Sequence, residues 1–399
     1  MRPSDSAKPV RARNLLLVAE HVNTHGSSTR ADLARATGLS RTAVSSLVSE
    51  LLERRILVEP GQPPTVKGVG ASTGRPAVEL SLNPDGGALV GIHLAHDGVR
   101  IVLADLATTV IDERNLPIDV DHEPTQTLEY AASAGLALMR DHHLEPRRVL
   151  GLGVAVAAPL TLPTHSLSPT TVLHDWAGVD IARHLYEHTG LPVHIGNDAN
   201  LGAIAEWRMG AARAVDDLIY VMVSDGVGAG LILGGRLYEG GAGGAGELGN
   251  VTVQPDGRVC RCGNRGCLET VVGARALVHA LSYSGAQVDG IADIVALAEH
   301  GHPGVKRVLV DAGRAIGQAL AGPCTVLDPR LVVVGGKTAK ASAPLIQGIH
   351  DALSLALSPL NNRGVGVVVG QLGDRAEILG ALTIAGTAAV TRMLDASGD

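Results

Sequence analysis

From residue 83 onward the chain keeps returning to short apolar runs (ALVGIHLA, VRIVLADL, VLGLGVAVA, LIYVMV, AGLILGG and LVVVGG), with stretches of helical spacing between them. Runs this short, rich in Val, Leu and Ile and bounded by turn residues, read as strands. Strands that alternate with helices are buried in a helix-covered sheet, which places this part of the chain in the α/β class. Aromatics make up only 2% of the residues and Phe is absent, so the core must be built from Val, Leu, Ile and Ala. A chain of 399 residues has room for about 2 to 3 domains. With 45% apolar and 18% charged residues it is a globular chain, not a disordered one. No run approaches the ~18 to 20 consecutive uncharged apolar residues of a spanning helix, and the start, MRPSDSAKPVRARN, lacks the apolar core of a signal peptide. The expectation is a cytoplasmic protein with no membrane partner.

The first 82 residues read differently. They hold 11 Lys and Arg against 7 Asp and Glu, whereas the remainder holds 22 against 33, so a basic module precedes an acidic one. An apolar stripe from Asn14 to His21 predicts a helix that Gly26 ends. Thr29 can cap a second, short helix, with Asp32 reaching back in a box-like arrangement. Gly38-Leu39-Ser40 then makes a turn, and Ser40 caps a third helix whose Val44, Leu47, Val48 and Leu51 share one face. Two short helices joined by a Gly-bearing turn are the helix-turn-helix signature. The opposite face of the third helix offers Arg41, Thr42, Ser45, Ser46 and Ser49, small or hydrogen-bonding side chains suited to a major groove. Two later strand-like stretches flank a Gly/Pro-rich loop, the pattern of a wing. Arg75, held extended by Pro76, is the loop's candidate for a minor groove, although Gly-Arg-Pro is also an ordinary turn.

In the second module His96-Asp97-Gly98-Val99 is echoed by Ser224-Asp225-Gly226-Val227, each an Asp-Gly turn between two strands. The echo predicts two similar lobes with a ligand cleft between them. Asn197 and Asp198 sit where a short strand gives way to a helix. The pair offers donors and acceptors to a polyhydroxylated ligand, and the carboxylate can act as a base, but Asn-Asp is also a common helix cap. The loop from Glu239 through Glu247 to Asn250 is so rich in glycine that close backbone approach to a ligand is its expected role. Cys260, Cys262 and Cys267, in CxCx4C spacing among glycines, predict a structural zinc whose fourth ligand lies elsewhere, with buried free thiols as the alternative. Val334-Gly335-Gly336 after a strand adds a weak nucleotide-loop hint.

GGAGGAGELGN followed by CRCGNRGCLE, with GNDAN upstream and a winged helix-turn-helix in front, resembles the ROK family of repressors, open reading frames and sugar kinases, in particular its repressor branch. The resemblance implies a two-lobed actin-like fold for the second module. It also implies that Asn197, Asp198, Glu247 and Glu269 line a sugar pocket, with Asp198 at the position of the kinases' base. Two departures qualify it. The family's ExGH motif reads Glu247-Leu-Gly-Asn250, which removes the histidine that completes the zinc site and borders the sugar. The kinases' DxGGT hairpin reads His93-Leu-Ala-His96-Asp97, and Asp225 stands in the second loop where kinases carry neutral Thr-Gly. Both changes oppose a triphosphate.

The sequence therefore predicts a winged helix-turn-helix over residues 1–82 and a two-lobed sugar-sensing module over 83–399. The expected function is that of a transcriptional regulator, a repressor first, with Arg41, Thr42, Ser45, Ser46 and Arg75 on a double-stranded DNA operator. Asn197, Asp198, Glu247, Asn250 and Glu269 are the predicted sugar ligands, and Cys260, Cys262 and Cys267 the predicted zinc ligands. A homodimer or homotetramer is the expected assembly. The rivals are an active sugar kinase with a DNA-binding appendage, and a vestigial pocket on a protein-docking module.

Overall fold

The computed structural model describes residues 10–60, 78–167, 173–357 and 365–395. At the N-terminus three helices pack around a small sheet: α1 (Val10–His25), β1 (Ser28–Thr29), α2 (Arg30–Thr37), α3 (Arg41–Glu53), β2 (Leu57–Val58) and β3 (Glu79–Leu82). Local chemistry sets these boundaries. Thr29 and Asp32 form the reciprocal capping box of α2, Gly38 ends that helix at φ 70°, and the Ser40 side chain accepts from the Ala43 amide at the start of α3. Val44, Leu47, Val48 and Leu51 are buried, as their spacing requires. α1 starts earlier than its apolar stripe, and Arg11 in its first turn pairs with Glu50 of α3 at 2.6 Å. β1 has no sequence signal of its own and forms only by pairing with β3, as does β2 on the other side.

The first lobe comprises β4 (Ala88–Ala95), β5 (Gly98–Asp105), β6 (Val110–Leu116), α4 (Pro124–Asp141), β7 (Val149–Val156), a small hairpin of β8 (Leu160–Thr161) and β9 (Ser166–Leu167), α5 (Ile181–Thr189), β10 (Val193–Asn197) and α6 (Asp198–Met209). Its sheet runs β10-β7-β4-β5-β6. The second lobe comprises β11 (Leu218–Val223), β12 (Val227–Ile232), α7 (Glu269–Val272), α8 (Ala274–Leu281), α9 (Ile291–Glu299), α10 (Pro303–Leu327), β13 (Leu331–Gly335), α11 (Ser342–Ala356) and β14 (Gly366–Val369), with its sheet in the order β12-β11-β13-β14. The two sheets repeat one plan. In each, an antiparallel hairpin is followed by two strands added in parallel beside the hairpin's first strand. The echo of Asp-Gly turns thus marks a duplicated topology.

The chain then returns to the first lobe as α12 (Ala376–Asp395), which packs against β4, β7 and α6. The fit is close. A Cβ on Gly153 would lie 2.0 Å from the Ala381 carbonyl oxygen, and one on Gly380 2.0 Å from that of Leu201, so only glycine lets α12 settle between β7 and α6. The segment Gly373–Asp395 is long and apolar enough to cross a membrane by length and composition alone, and 61% of its most apolar stretch is buried inside the fold. Trp176 and Tyr220 are the large aromatics that are fully buried, and Val, Leu, Ile and Ala make up most of the rest of the core, with a few Met and Cys.

α1 lies across α12 and the end of α6. Asn23 of α1 and Arg208 of α6 both donate to Thr387 Oγ1 of α12, at 2.8 and 3.1 Å. One apolar cluster runs from Leu15, Val18 and Leu47 through to Leu382, Ala389 and Leu394, joining the N-terminal unit to the first lobe.

Candidate ligand cleft and nucleic-acid interface

A cavity of about 500 Å³ opens between the lobes. Asn197 closes β10 and caps α6. Its Oδ1 accepts from the Asn200 amide at 3.1 Å, and its Nδ2 donates to the Ala158 carbonyl and to Asp198 Oδ1, both at 3.2 Å. Asp198 opens α6 at 4% exposure and accepts from the Ala199 amide at 2.7 Å. Burial, followed by the carboxylates of Glu377 and Glu247, pushes its carboxyl up to about 8. Glu247 ends the glycine loop, and burial and the charge of Glu269 raise its carboxyl as well. Glu269, at the start of α7, accepts from Arg261 Nε at 2.6 Å. These four predicted residues line one cavity. Asn250 is not among the lining residues; its Nδ2 donates to Glu247 Oε2 at 3.0 Å and so holds Glu247 from behind.

Three further groups belong to the cavity. Glu377, in the first turn of α12, is 2% exposed and is pushed up to about 7 by burial, with Tyr220 Oη donating to its Oε1 at 2.9 Å. The signal for it was available: it is the lone charge in the apolar run AEILGALTIAG. His93 lines the wall with its pKa lowered to about 3 by burial and then by Arg100, and its buried Nε2 has no hydrogen-bond partner among the described residues. Arg100 of β5 reaches the Asp374 carbonyl at 2.7 Å and its carboxylate at 2.9 Å, which fixes the approach to α12.

A fourth lining group is Lys337, next to the Val334-Gly335-Gly336 run. Its Nζ lies 2.5 Å from Asp97 in the first lobe's hairpin and 2.6 Å from Asp225 in the second lobe's hairpin. An internal cation thus joins the two Asp-Gly turns, which would repel each other without it. A second cavity of about 520 Å³ lies beyond these turns, against the cysteine loop.

Cys260, Cys262 and Cys267 bring their sulfurs within 4.8 Å of one another, with Cys262 and Cys267 at 3.6 Å. That separation suits thiolates on one tetrahedral ion, whose ~2.3 Å bonds put sulfurs about 3.8 Å apart. Among the described residues no His, Asp, Glu or fourth Cys joins this cluster. The donor set therefore fits a metal with one position left to a weak ligand.

On α3, Arg41, Thr42, Ser45 and Ser46 are all exposed, and Arg11 Nη2 touches Ser46 Oγ at 3.4 Å. Arg75 and the rest of the Gly/Pro-rich loop lie outside the described residues.

The sequence model of the ROK family matches residues 89–388. Among curated relatives, the xylose repressor of Caldicellulosiruptor bescii is 27% identical over 385 residues, covering 93% of this chain and 94% of its own. The DNA-binding transcriptional dual regulator NagC of Escherichia coli K12 is 27% identical over 383 residues, covering 92% and 91%. Among solved structures, a ROK family transcriptional regulator homologous to the E. coli MLC protein superposes with TM-score 0.75 at 25% identity, covering 97% of this chain and 98% of its own. A ROK family glucokinase from Streptomyces griseus, solved with glucose and AMPPNP, gives TM-score 0.65 at 25% identity, covering 75% and 99%.

Proposed function

Because the chain belongs to the ROK family, we propose that it is a transcriptional repressor whose hold on its operator is set by a sugar or sugar derivative bound between the lobes. Residues 1–82 are the winged helix-turn-helix domain in this reading and residues 83–399 the sensor. Relatives matched along nearly their whole length are repressors and regulators. One observation carries the reading: α6 and α12 each begin at a cleft carboxylate, Asp198 and Glu377, and both reach α1 through Thr387. Cleft and DNA-binding unit therefore share two packed helices. A ligand that prefers one lobe arrangement by ~1 to 3 kcal/mol would change operator affinity about 5- to 150-fold.

In the cleft, Asn197, Asp198, Glu247 and Glu269 hydrogen-bond the hydroxyls. On the operator, Arg41, Thr42, Ser45 and Ser46 meet base edges in the major groove and Arg75 reaches the minor groove. A symmetric homodimer or homotetramer matches a two-fold operator, and the cytoplasm is the compartment this work requires. Cys260, Cys262 and Cys267 would hold zinc, with water or the Asn250 oxygen left for its fourth position. Held there, the loop that precedes α7 would be fixed beside Glu269, which lines the cleft.

Asp198 at the position of a base, together with the likeness to a glucokinase, favours a kinase as the second reading. Two features oppose it. His93 replaces the leading acid of the first hairpin, and Lys337 is bound to both Asp-Gly turns. The deciding experiment is fluorescence anisotropy on DNA from upstream of the protein's own gene, titrated with a sugar panel and paired with an ATP-dependent phosphorylation assay. The expected result is operator binding that one sugar class shifts, with no sugar phosphate formed. Sugar phosphate from the parent protein, and none from Asp198→Ala, would overturn the proposal in favour of the kinase.

A further inference from the structure

The first sheet's face opposite α12 is covered by α4 and α5, and their outer surface brings together Glu129, His184 and His188. One ligand atom from each lies within 4.8 Å of the other two, and none of the three lines either interlobe cavity. His184 and His188 stand four residues apart on one face of α5, with their rings stacked at 4.5 Å between centroids. His188 Nδ1 lies 2.8 Å from the His184 carbonyl oxygen. A carbonyl oxygen only accepts, so Nδ1 carries the proton and the lone pair sits on Nε2, the tautomer in which an imidazole ligates a metal. Among the described residues the buried Nε2 of His184 has no hydrogen-bond partner, an unsatisfied state that a metal ion would relieve.

We propose that Glu129, His184 and His188 form a binding site for a divalent transition-metal ion of the zinc type, separate from the cysteine cluster and clamping α4 to α5. Two neutral imidazoles and one carboxylate form a borderline donor set that suits zinc and its neighbours better than calcium or magnesium, which prefer oxygen ligands throughout. Bonds of ~2.0 to 2.2 Å would draw the ligand atoms to about 3.3 to 3.5 Å apart. The exposed side chains of Glu129 and His188 can make that adjustment by rotation. Water fills the remaining coordination. The molecule carries its own control in α1, where His21 and His25 have the same spacing, ring stacking at 4.0 Å and the same Nδ1-to-carbonyl contact at 2.8 Å. Among the described residues no carboxylate, cysteine or further histidine completes that pair as a ligand cluster.

The test is equilibrium dialysis of the full chain against zinc chloride, with stoichiometry read by elemental analysis and melting temperature read in parallel. The parent should bind one more zinc than His188→Ala or Glu129→Gln, and should gain a zinc-dependent rise in melting temperature that both variants lose. His25→Ala should match the parent in both, and all variants should melt like the parent without zinc, because the substituted side chains are exposed. Equal zinc content and equal zinc-dependent melting in the parent and His188→Ala would overturn the site. So would a His25→Ala variant that loses as much zinc as His188→Ala, since the binding would then be that of any helical histidine pair.

Discussion

The cleft and the exposed face of α3, the two contact surfaces of the proposed function, both carry polar side chains, and they are built in opposite ways. Arg41, Thr42, Ser45 and Ser46 stand in water on one helix, with their shape set by a cap and an apolar stripe a few residues away. Asp198 and Glu377 are 4% and 2% exposed and come from helices far apart in the chain, α6 and α12. They are tied to Asn197, the Ala199 amide and Tyr220, and their proton affinities are raised by burial. An exposed recognition face is a set of nearly independent contacts, so its variants should have bounded, additive effects. A buried ligand site is a coupled network, so one change there should spread.

The largest effects therefore belong to the cleft. Asp198→Ala should abolish the sugar response, with ligand affinity down by about 100-fold or more, the scale of two lost hydrogen bonds to a charged or strongly polar group. Operator binding should remain. Calorimetry with the responsive sugar, alongside anisotropy on the operator, decides this, and a variant that still releases DNA on adding sugar would remove the cleft from the mechanism.

The same burial makes the empty protein sensitive to pH. Asp198 and Glu377 ordinarily ionise near 3.8 and 4.5 but are held at about 8 and about 7 in the fold, so unfolding between those limits releases protons. Their contribution to stability is fully present below the ordinary carboxylate range and is lost as pH rises through about 7 to 8. Melting temperature should fall between pH 5 and pH 8, and Asp198→Asn should flatten the fall. A parallel fall in the variant would mean that the titration lies elsewhere.

The recognition face should respond more modestly. Arg41→Ala should weaken operator binding by ~1 to 3 kcal/mol, about 5- to 150-fold, and leave sugar affinity unchanged. An unaltered footprint on operator DNA would show that α3 is not the reading helix. Smaller still is the effect at the joint between the two regions. Thr387→Val removes the oxygen that Asn23 and Arg208 share, and should leave both binding events intact while cutting the coupling between them by ~0.5 to 2 kcal/mol. Measuring sugar affinity with and without operator gives that number directly, and an unchanged coupling would exclude α6 and α12 as its carriers.

The same contrast explains what the sequence disclosed. The caps at Thr29 and Ser40, the stripe of α3, both Asp-Gly hairpins and the strand-to-helix junction at Asn197 are local events, each set by residues within about one turn or one hairpin. They can be read from short windows. Glu377 reaches Asp198 only after the chain has built the whole second lobe and returned. Lys337 meets Asp97 across 240 residues, and β1 exists only because β3 pairs with it. Glu377 and Lys337 each left a trace, a lone charge in an apolar helix and a lysine after two glycines, but the partner of each is a product of topology, and β1 left none. Asn250 shows the reverse case. Its place in a motif marks it for the ligand, and the fold uses it to hold Glu247.

Lys337 is where the contrast between exposed and buried construction should give its smallest effect. Its side chain is 28% exposed, and its partners Asp97 and Asp225 are 61% and 29% exposed, so water screens the ion pairs and each is worth ~0 to 1 kcal/mol. Lys337→Met should accordingly lower stability by about 1 kcal/mol or less in dilute buffer. At ~1 M salt, where the screening length is about 3 Å, the difference from the parent should shrink further. The sign follows from what remains: two carboxylates facing each other across the lobes, so adding Asp97→Asn to the variant should recover most of the loss. Operator affinity should shift by less than about 5-fold, because the cation links the lobes at their rim while α6 and α12 connect them to α1 beneath. No ATP turnover should appear, since freeing the two turns does not restore the glycines, hydroxyl and leading acid that hold a phosphate. A destabilisation of ~3 kcal/mol or more would instead have the magnitude of a broken buried pair and would make the triad a structural keystone. Sugar phosphate formed by Lys337→Met would show that the lysine alone had been blocking the chemistry.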